Sequence, residues 1–417
     1  MAAERLTPFD SHLLRLEAAG HHCGLVGLTI CEGPVPTASR VRERVERLLP
    51  SVPRFAAVPQ AVPLDVERPV WADDASFTAG AHIHVEKLKA PRGRDAVAEL
   101  VQRLADTPFD PSRPRWDFYV VDGLPRKQWL LAAHLHLALI DGMGSTDLFT
   151  CVLAPRATPS PVERFDPPSS PPRMLLDALR DLLTSPYEQV RLLQSTMRRV
   201  RPEPAPVPPV STEQRRLVVD LADLKAVKEA HGGSVNDVLA AMTTVGRAAV
   251  SGRNEVDVTV PFAVRSLSQP GQYDNQVEAV DVPLPTITAD AVEQYREVAR
   301  RLDRAARDNL AIGGKLLVRV AAPTTYVLAA LGARACMSSR ADAVLVNAPG
   351  PRAAGKVFEG RSVEAHAAVP HPAQVGLCVT ALSHAGKVSL ALSAAEGVDT
   401  SKAAMQSTLA TLLAASR

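Results

Sequence analysis

The nine residues His134-Leu135-His136-Leu137-Ala138-Leu139-Ile140-Asp141-Gly142 decide how this chain is read. They continue an apolar run that starts at Trp129 and lead into a polar turn at Asp141-Gly142-Met143-Gly144. The pattern predicts a buried strand over 129–139. Alternation along a strand puts His134 and His136 on one face and Leu137 on the other. A hydroxyl or thiol is a weak nucleophile unless a base takes its proton as it attacks. Imidazole suits that task, because its ordinary pKa lies near neutrality. Leucine accepts no proton. Asp141 before Gly142 fits an Asx-turn, and burial of its carboxylate calls for a cationic partner.

Composition bounds the answer. A chain of 417 residues suits two cores of about 200 residues each. Hydrophobic residues make up 46% and charged residues 22%, the balance of an ordinary globular protein. A net charge of +2 is too small to argue for a nucleic-acid partner. Cys23, Cys31, Cys151, Cys336 and Cys378 form no CxxC pair and no metal-ligand spacing, so no metal site is expected. An odd, scattered set suits reduced thiols. No apolar run reaches the ~20 residues that span a bilayer, and the first residues lack the apolar core of a signal peptide. A soluble cytoplasmic protein is expected.

Two proline-rich stretches, 155–172 and 202–209, read as extended linkers. Between them, 174–200 has helical apolar spacing with a break at Pro186 and an Arg-rich polar face. It reads as bridging helices packed on one domain, or as a membrane-surface element giving peripheral membrane contact. The chain then divides into 1–155, a Pro-rich linker with amphipathic helices at 156–211, and 212–417. Strands are predicted at 24–31, 81–88, 116–121 and 129–139, with a helix at 95–104. In the last part, strands are predicted at 216–220, 255–260, 277–284, 343–346, 375–383 and 387–393. Helices are predicted there at 221–230, 235–251, 291–310 and 402–415. The fold class is α/β with mixed sheets (α+β), lacking the regular βαβ alternation of a nucleotide-binding sheet.

Other motifs have structural explanations. Ser234-Val235-Asn236-Asp237 after Gly232-Gly233 is a helix N-cap signature. His82 and His84 alternate on a strand without a carboxylate or cysteine cluster, which argues against metal. His21 and His22 sit in a turn-like segment, and His366, His371 and His384 are expected to face solvent. No serine nucleophile elbow is present, and Gly313-Gly314-Lys315 lacks phosphate-loop spacing.

The opening segment resembles the HHxxxDG signature of acyltransferases that share the chloramphenicol acetyltransferase fold. His136 matches the first histidine, and Asp141 and Gly142 match the DG. The second histidine falls on Leu137. Six further blocks, with the Asn236-Asp237 segment, resemble the bacterial wax ester synthase/diacylglycerol acyltransferase (WS/DGAT) family, in family order. Leu6 to Asp10 (LTPFD) resembles LSPLD, and Pro108 to Trp116 (PFDPSRPRW) resembles PLDRSRPLW. Asn236-Asp237-Val238 resembles NDVVLA, and Val260 to Arg265 (VPFAVR) resembles VPVSVR. Asn275 with Val282 to Pro285 resembles the GN … PLP block, and Asn347 to Pro351 (NAPGP) resembles NVPGP. Together they cover nearly the whole chain.

The resemblance implies two chloramphenicol-acetyltransferase-like domains with a tunnel at their interface, the HHxxxDG loop near its middle. One mouth would admit acyl-CoA or an acyl carrier and the other the acceptor. No bound cofactor is implied, and the partner is a hydrophobic small molecule. The implied catalytic set is His136, Asp141 and Gly142, with His134, Leu137, Asn275 and Asn347 toward the substrate. Asp141 is implied to pair with Arg265 and hold the loop, and Asn236 and Asp237 to be structural at the site. The family's general base is the second histidine, here Leu137. Strand geometry makes His136 structural, with a compensating catalytic role as the alternative. His384 also replaces the tyrosine of the family's SYxG block. Three functions fit: acyl transfer without the usual base, cyclisation or rearrangement of a polyketide-like natural product, and non-catalytic binding of a lipid or acyl chain.

Overall fold

The protein is described by a computed structural model covering residues 5–6, 8–18, 23–63, 68–88, 93–139, 152, 172, 213–263, 277–286, 290–312, 341–348, 350, 354–369, 371 and 375–416. Asp141, Gly142, Arg265, Asn275, the 174–200 segment, His21, His22 and the 313–315 glycine run lie outside these residues.

The N-terminal half supplies helices α1 (Pro8–Ala18), α2 (Ala38–Leu48) and α3 (Arg94–Ala105), and strands β1 (Gly24–Glu32), β2 (Ala57–Gln60), β3 (Val70–Asp73), β4 (Ile83–Lys87), β5 (Trp116–Leu124) and β6 (Gln128–His136). The C-terminal half adds β7 (Glu213–Asp220), β8 (Glu255–Ala263), β9 (Val277–Pro285), β10 (Ala343–Ala348), β11 (Lys356–Val357), β12 (Gly360–Ala368), β13 (Leu377–His384) and β14 (Lys387–Ala394). Its helices are α4 (Leu221–His231), α5 (Val235–Ser251), α6 (Ala291–Ile312) and α7 (Val398–Ala415).

Two six-stranded sheets result, ordered β11-β12-β1-β6-β5-β4 and β7-β14-β13-β10-β8-β9. Both are mixed: β4 runs parallel to β5, and β10 runs parallel to β13 and β8. Strand β6 is buried from Trp129 to His136 because both its faces are covered. Trp129, Leu131, Ala133 and Leu135 join Trp116, Phe118 and α2 on one side. Leu130 and Ala132 join Val97, Leu100 and Leu104 of α3 on the other. Each fully buried leucine contributes roughly 2 kcal/mol. Helix α2 presents Val41, Val45 and Leu48 to the core at helical spacing, and the Thr37 hydroxyl caps it by accepting from the Arg40 N–H. In the second sheet, Leu377, Val379, Leu390 and Leu392 face a helical layer that includes Leu239, Met242 and Met405.

Strand β12 ties the halves together. It pairs antiparallel with β1, from Val26 opposite Ala368 to Glu32 opposite Arg361, with a register shift between Ile30 and Cys31. It also packs on β13 and β14 of the other sheet. Polar side chains cross this seam: His384 Nε2 lies 3.0 Å from Ser362 Oγ, and His366 Nδ1 lies 2.7 Å from Ser389 Oγ. Arg216 pairs with Glu364 at 2.8 Å. Hydrogen bonds from His366 and Arg216 hold the Glu364 carboxyl down to about 2.

These contacts correct the expectation that His366, His371 and His384 face solvent. His384 is buried, and His366 and His371 are half-buried. His371 Nε2 lies 2.7 Å from the Val375 carbonyl. Hydrogen-bond partners, across the seam for His366 and His384 and local for His371, offset the burial of these rings. Two strand boundaries also differ. The 129–139 strand ends at His136, followed by a turn, and the 81–88 segment begins as a 3-10 turn, Ala79–His82. Among the described residues, no helix is long and apolar enough to cross a membrane.

Candidate active site

The opening segment sits where β6 ends, between β1 and β5. His134 lies opposite Val26 and Asp117, and His136 lies opposite Gly24. Both imidazoles are buried, and Phe109 touches both, so they share a face. Its ring stacks on His134 at 4.1 Å and meets His136 edge-on at 5.6 Å. Gly24 makes room for this arrangement: a Cβ there would lie 2.2 Å from His134 Nε2.

The protonation state of His136 follows from its contacts. The Ala138 N–H donates to Nδ1 at 3.0 Å, so the neutral ring carries its proton on Nε2. Nε2 lies 3.6 Å from Glu17 Oε2 on α1, and the same oxygen accepts from Arg115 Nε at 3.0 Å. Burial, then the Arg115 charge and His134, hold the His136 pKa down to about 3. The Glu17 charge is already balanced by Arg115. His136 is thus a neutral ring near pH 7, with its acceptor nitrogen occupied and its other nitrogen protonated.

Leu137 meets a different set of neighbours. Its N–H donates to the Cys23 carbonyl at 2.9 Å, continuing the β6–β1 ladder by one step. Its half-buried side chain packs against a cluster drawn from both sheets: Leu25, Ala365 and Ala367 from the first, and Ala348 and Leu382 from the second. It also touches the cluster of Leu13, Cys23 and Ala138. The Cys23 thiol is pushed up to about 12 by burial and by the Glu17 charge, so it stays neutral.

The remaining sequence-derived residues fall elsewhere. Asp237 forms a capping box with Ser234 at the start of α5, and burial raises its carboxyl above the usual range. Asn236 is half-buried in the same first turn. Asn347 is exposed on β10, next to Ala348, which packs in the seam cluster with Leu137. The structure places His134 and His136 on one face of β6 with Leu137 just beyond them, and puts Asn236 and Asp237 at the start of α5. His82 is buried and stacks on Trp116 at 4.3 Å. Among the described residues, no three His, Cys, Asp or Glu side chains gather as a metal-ligand set.

Sequence reasoning missed Glu17, Phe109 and Arg115. Two of them had a signal. Phe109 and Arg115 flank the proline-rich turn of PFDPSRPRW, which was read only for its place in the family order. That block turns out to clamp the histidine face of β6.

A family model described as the wax ester synthase/diacylglycerol acyltransferase catalytic domain matches residues 6–207, and one for the WS/DGAT C-terminal domain matches residues 273–414. A probable diacylglycerol O-acyltransferase of Mycobacterium tuberculosis, tgs3, is 34% identical over 204 residues, covering 46% of this chain and 73% of that protein. The solved wax ester synthase/diacylglycerol acyltransferase of Marinobacter aquaeolei superposes with a TM-score of 0.63 at 19% identity, covering 99% of each chain. The starter condensation domain of rhizomide synthetase RzmA, solved in complex with C8-CoA, has a TM-score of 0.64 at 13% identity, covering 99% of this chain and 95% of that one. The mixed α/β, two-domain fold is that of the chloramphenicol acetyltransferase type. The chain belongs to the wax ester synthase/diacylglycerol acyltransferase family.

Proposed function

We propose that this protein is an acyltransferase that moves an acyl group from a thioester to a neutral acceptor without a histidine general base. Residues 1–155 would form the unit bearing the degenerate motif, 156–211 the linker and 212–417 the second unit. The seam around Leu137 would be the reaction tunnel. The donor would be acyl-CoA or an acyl carrier, in keeping with the C8-CoA complex of the structurally similar condensation domain. Asp141 and Gly142 would shape the turn after β6, with Arg265 balancing the Asp141 charge and Asn275 nearby.

One observation carries this reading. Leu137 packs into the seam at the motif position of the base, while the neighbouring His136 has its acceptor nitrogen occupied by the Ala138 N–H and its other nitrogen buried 3.6 Å from Glu17. The acceptor oxygen would attack the thioester carbon, the C–S bond would break, and the acceptor proton would end on the departing thiolate. Positioning supplies the acceleration, and well-oriented reactants gain up to about 7–11 kcal/mol in favourable cases. A base adds roughly 100- to 10,000-fold.

Ester formation from acyl-CoA and an alcohol, assayed with wild type and Leu137→His, tests this. The expected result is slow turnover by wild type and faster turnover by Leu137→His. Turnover absent from both, with lipid bound to the purified protein, would replace the enzyme with an acyl-chain binder. Wild-type turnover abolished by His136→Ala, with the variant folded, would return the base to His136.

A further inference from the structure

Strand β12 carries a second set of side chains that acyl transfer at Leu137 does not use. Alternation along the strand sends Ala365 and Ala367 to the Leu137 cluster, and Glu364 and His366 the other way, onto β7 and β14. His366 Nδ1 lies 2.7 Å from Ser389 Oγ, and its Nε2 lies 3.3 Å from Glu364 Oε2. Glu364 is ionised, since its carboxyl is held down to about 2. That carboxylate keeps the ring proton on Nε2 and leaves Nδ1 to accept the Ser389 O–H. A hydroxyl on a base that a third group orients is the arrangement of an activated nucleophile.

A nucleophile also needs a donor for the charge that develops on the carbonyl oxygen, and a way in. Arg216 offers the donor. It stands opposite Ala391, two residues from Ser389 on the same face of β14, with Nη2 on Glu364 at 2.8 Å. Its Nε is buried without a hydrogen-bond partner, so one N–H remains unused. The way in lies at β7, the last strand of its sheet: Val218, directly opposite Ser389, is 42% exposed. Ser389 itself is 7% exposed, which suits a small acyl group and not a long chain. No short motif announces the set, because Glu364 and His366 share one strand and Ser389 comes from another.

We propose that Ser389, His366, Glu364 and Arg216 form a second catalytic site, which hydrolyses small neutral esters such as acetate esters through an acyl-serine. Ser389 Oγ attacks the ester carbon as its proton passes to His366 Nδ1. The bond to the leaving alcohol breaks, and the alcohol takes that proton. Water then attacks the acyl-serine and gives a proton to His366 Nδ1. The bond to Ser389 breaks, Oγ recovers the proton, and the carboxylic acid leaves. This site stands whether or not acyl transfer occurs at Leu137.

Phenylmethanesulfonyl fluoride, a small reagent for activated serines, tests it on the full wild-type chain. It should sulfonylate Ser389, located by peptide mass spectrometry, and block hydrolysis of p-nitrophenyl acetate. Folded His366→Gln should be labelled roughly 100- to 10,000-fold more slowly, the span of a lost base. Ser389→Ala should hydrolyse the ester no faster than the reagent-blocked wild type. The proposal is overturned if Ser389 of wild type is not labelled, if folded His366→Gln is labelled as fast, or if Ser389→Ala hydrolyses the ester at the wild-type rate. The labelling of wild type needs no variant, so it decides the matter even where a variant fails to fold.

Discussion

Replacing His136 by glutamine should change how stability depends on pH. The carboxamide oxygen can accept the Ala138 N–H as Nδ1 does, and its NH2 can reach toward Glu17, but it does not titrate. In the folded wild type, the ring's pKa is held at about 3, and in the unfolded chain it returns to about 6.5. Below pH 6.5 the unfolded chain binds a proton that the folded one refuses. Stability from the neutral ring is therefore complete above pH 6.5 and lost as pH falls toward 3. At pH 5 the difference of about 1.5 units corresponds to about 2 kcal/mol, and at pH 3 the loss is about 4 kcal/mol. His82, His371 and His384 are also depressed by burial, but they are common to both proteins and cancel in the difference. Urea unfolding of wild type and His136→Gln at pH 7 and pH 5 gives the number. Wild type should lose about 2 kcal/mol more than the variant between those two values. A difference below about 0.5 kcal/mol would show that the ring titrates normally and is free to act as a base.

Two further outcomes follow from local geometry. Gly24→Ala should destabilise the protein by about 1–3 kcal/mol, because its Cβ would sit 2.2 Å from His134 Nε2, and the loss should shrink in a His134→Ala background, measured by a double-mutant cycle. Strictly additive effects would mean that the two positions do not touch. Asp237→Ala should cost about 1 kcal/mol of stability by removing the capping box of α5, while leaving the acceptor KM unchanged; a change in KM would draw that helix end into the site.

Local chemistry made much of the C-terminal half legible. Helix α5 runs from Val235 to Ser251 as its signals predict, because Ser234 caps its start and Gly252, at φ +65°, ends it. Helix α2 carried a weaker signal: ASRVRERVERL has few apolar residues, and they become meaningful only once Val41, Val45 and Leu48 have a core to meet. Strand β12 (GRSVEAHAA) has low strand propensity, and its partner is remote: Glu32 and Arg361, which it brings together, are 329 residues apart. No local pattern encodes that pairing, yet it builds the seam. At the site, strand alternation alone placed His134 and His136 on one face. It could not reveal the Glu17–Arg115 pair or the seam partners of His366 and His384, since each depends on where other elements dock.

The absence of a histidine base is tested most directly by the pH dependence of kcat/KM for ester formation from acyl-CoA. Wild type should show no inflection between about pH 6 and 7.5, and Leu137→His should gain both rate and an inflection in that range. A wild-type inflection near 6.5 that disappears in a folded His136→Gln variant would contradict the account and make His136 the base.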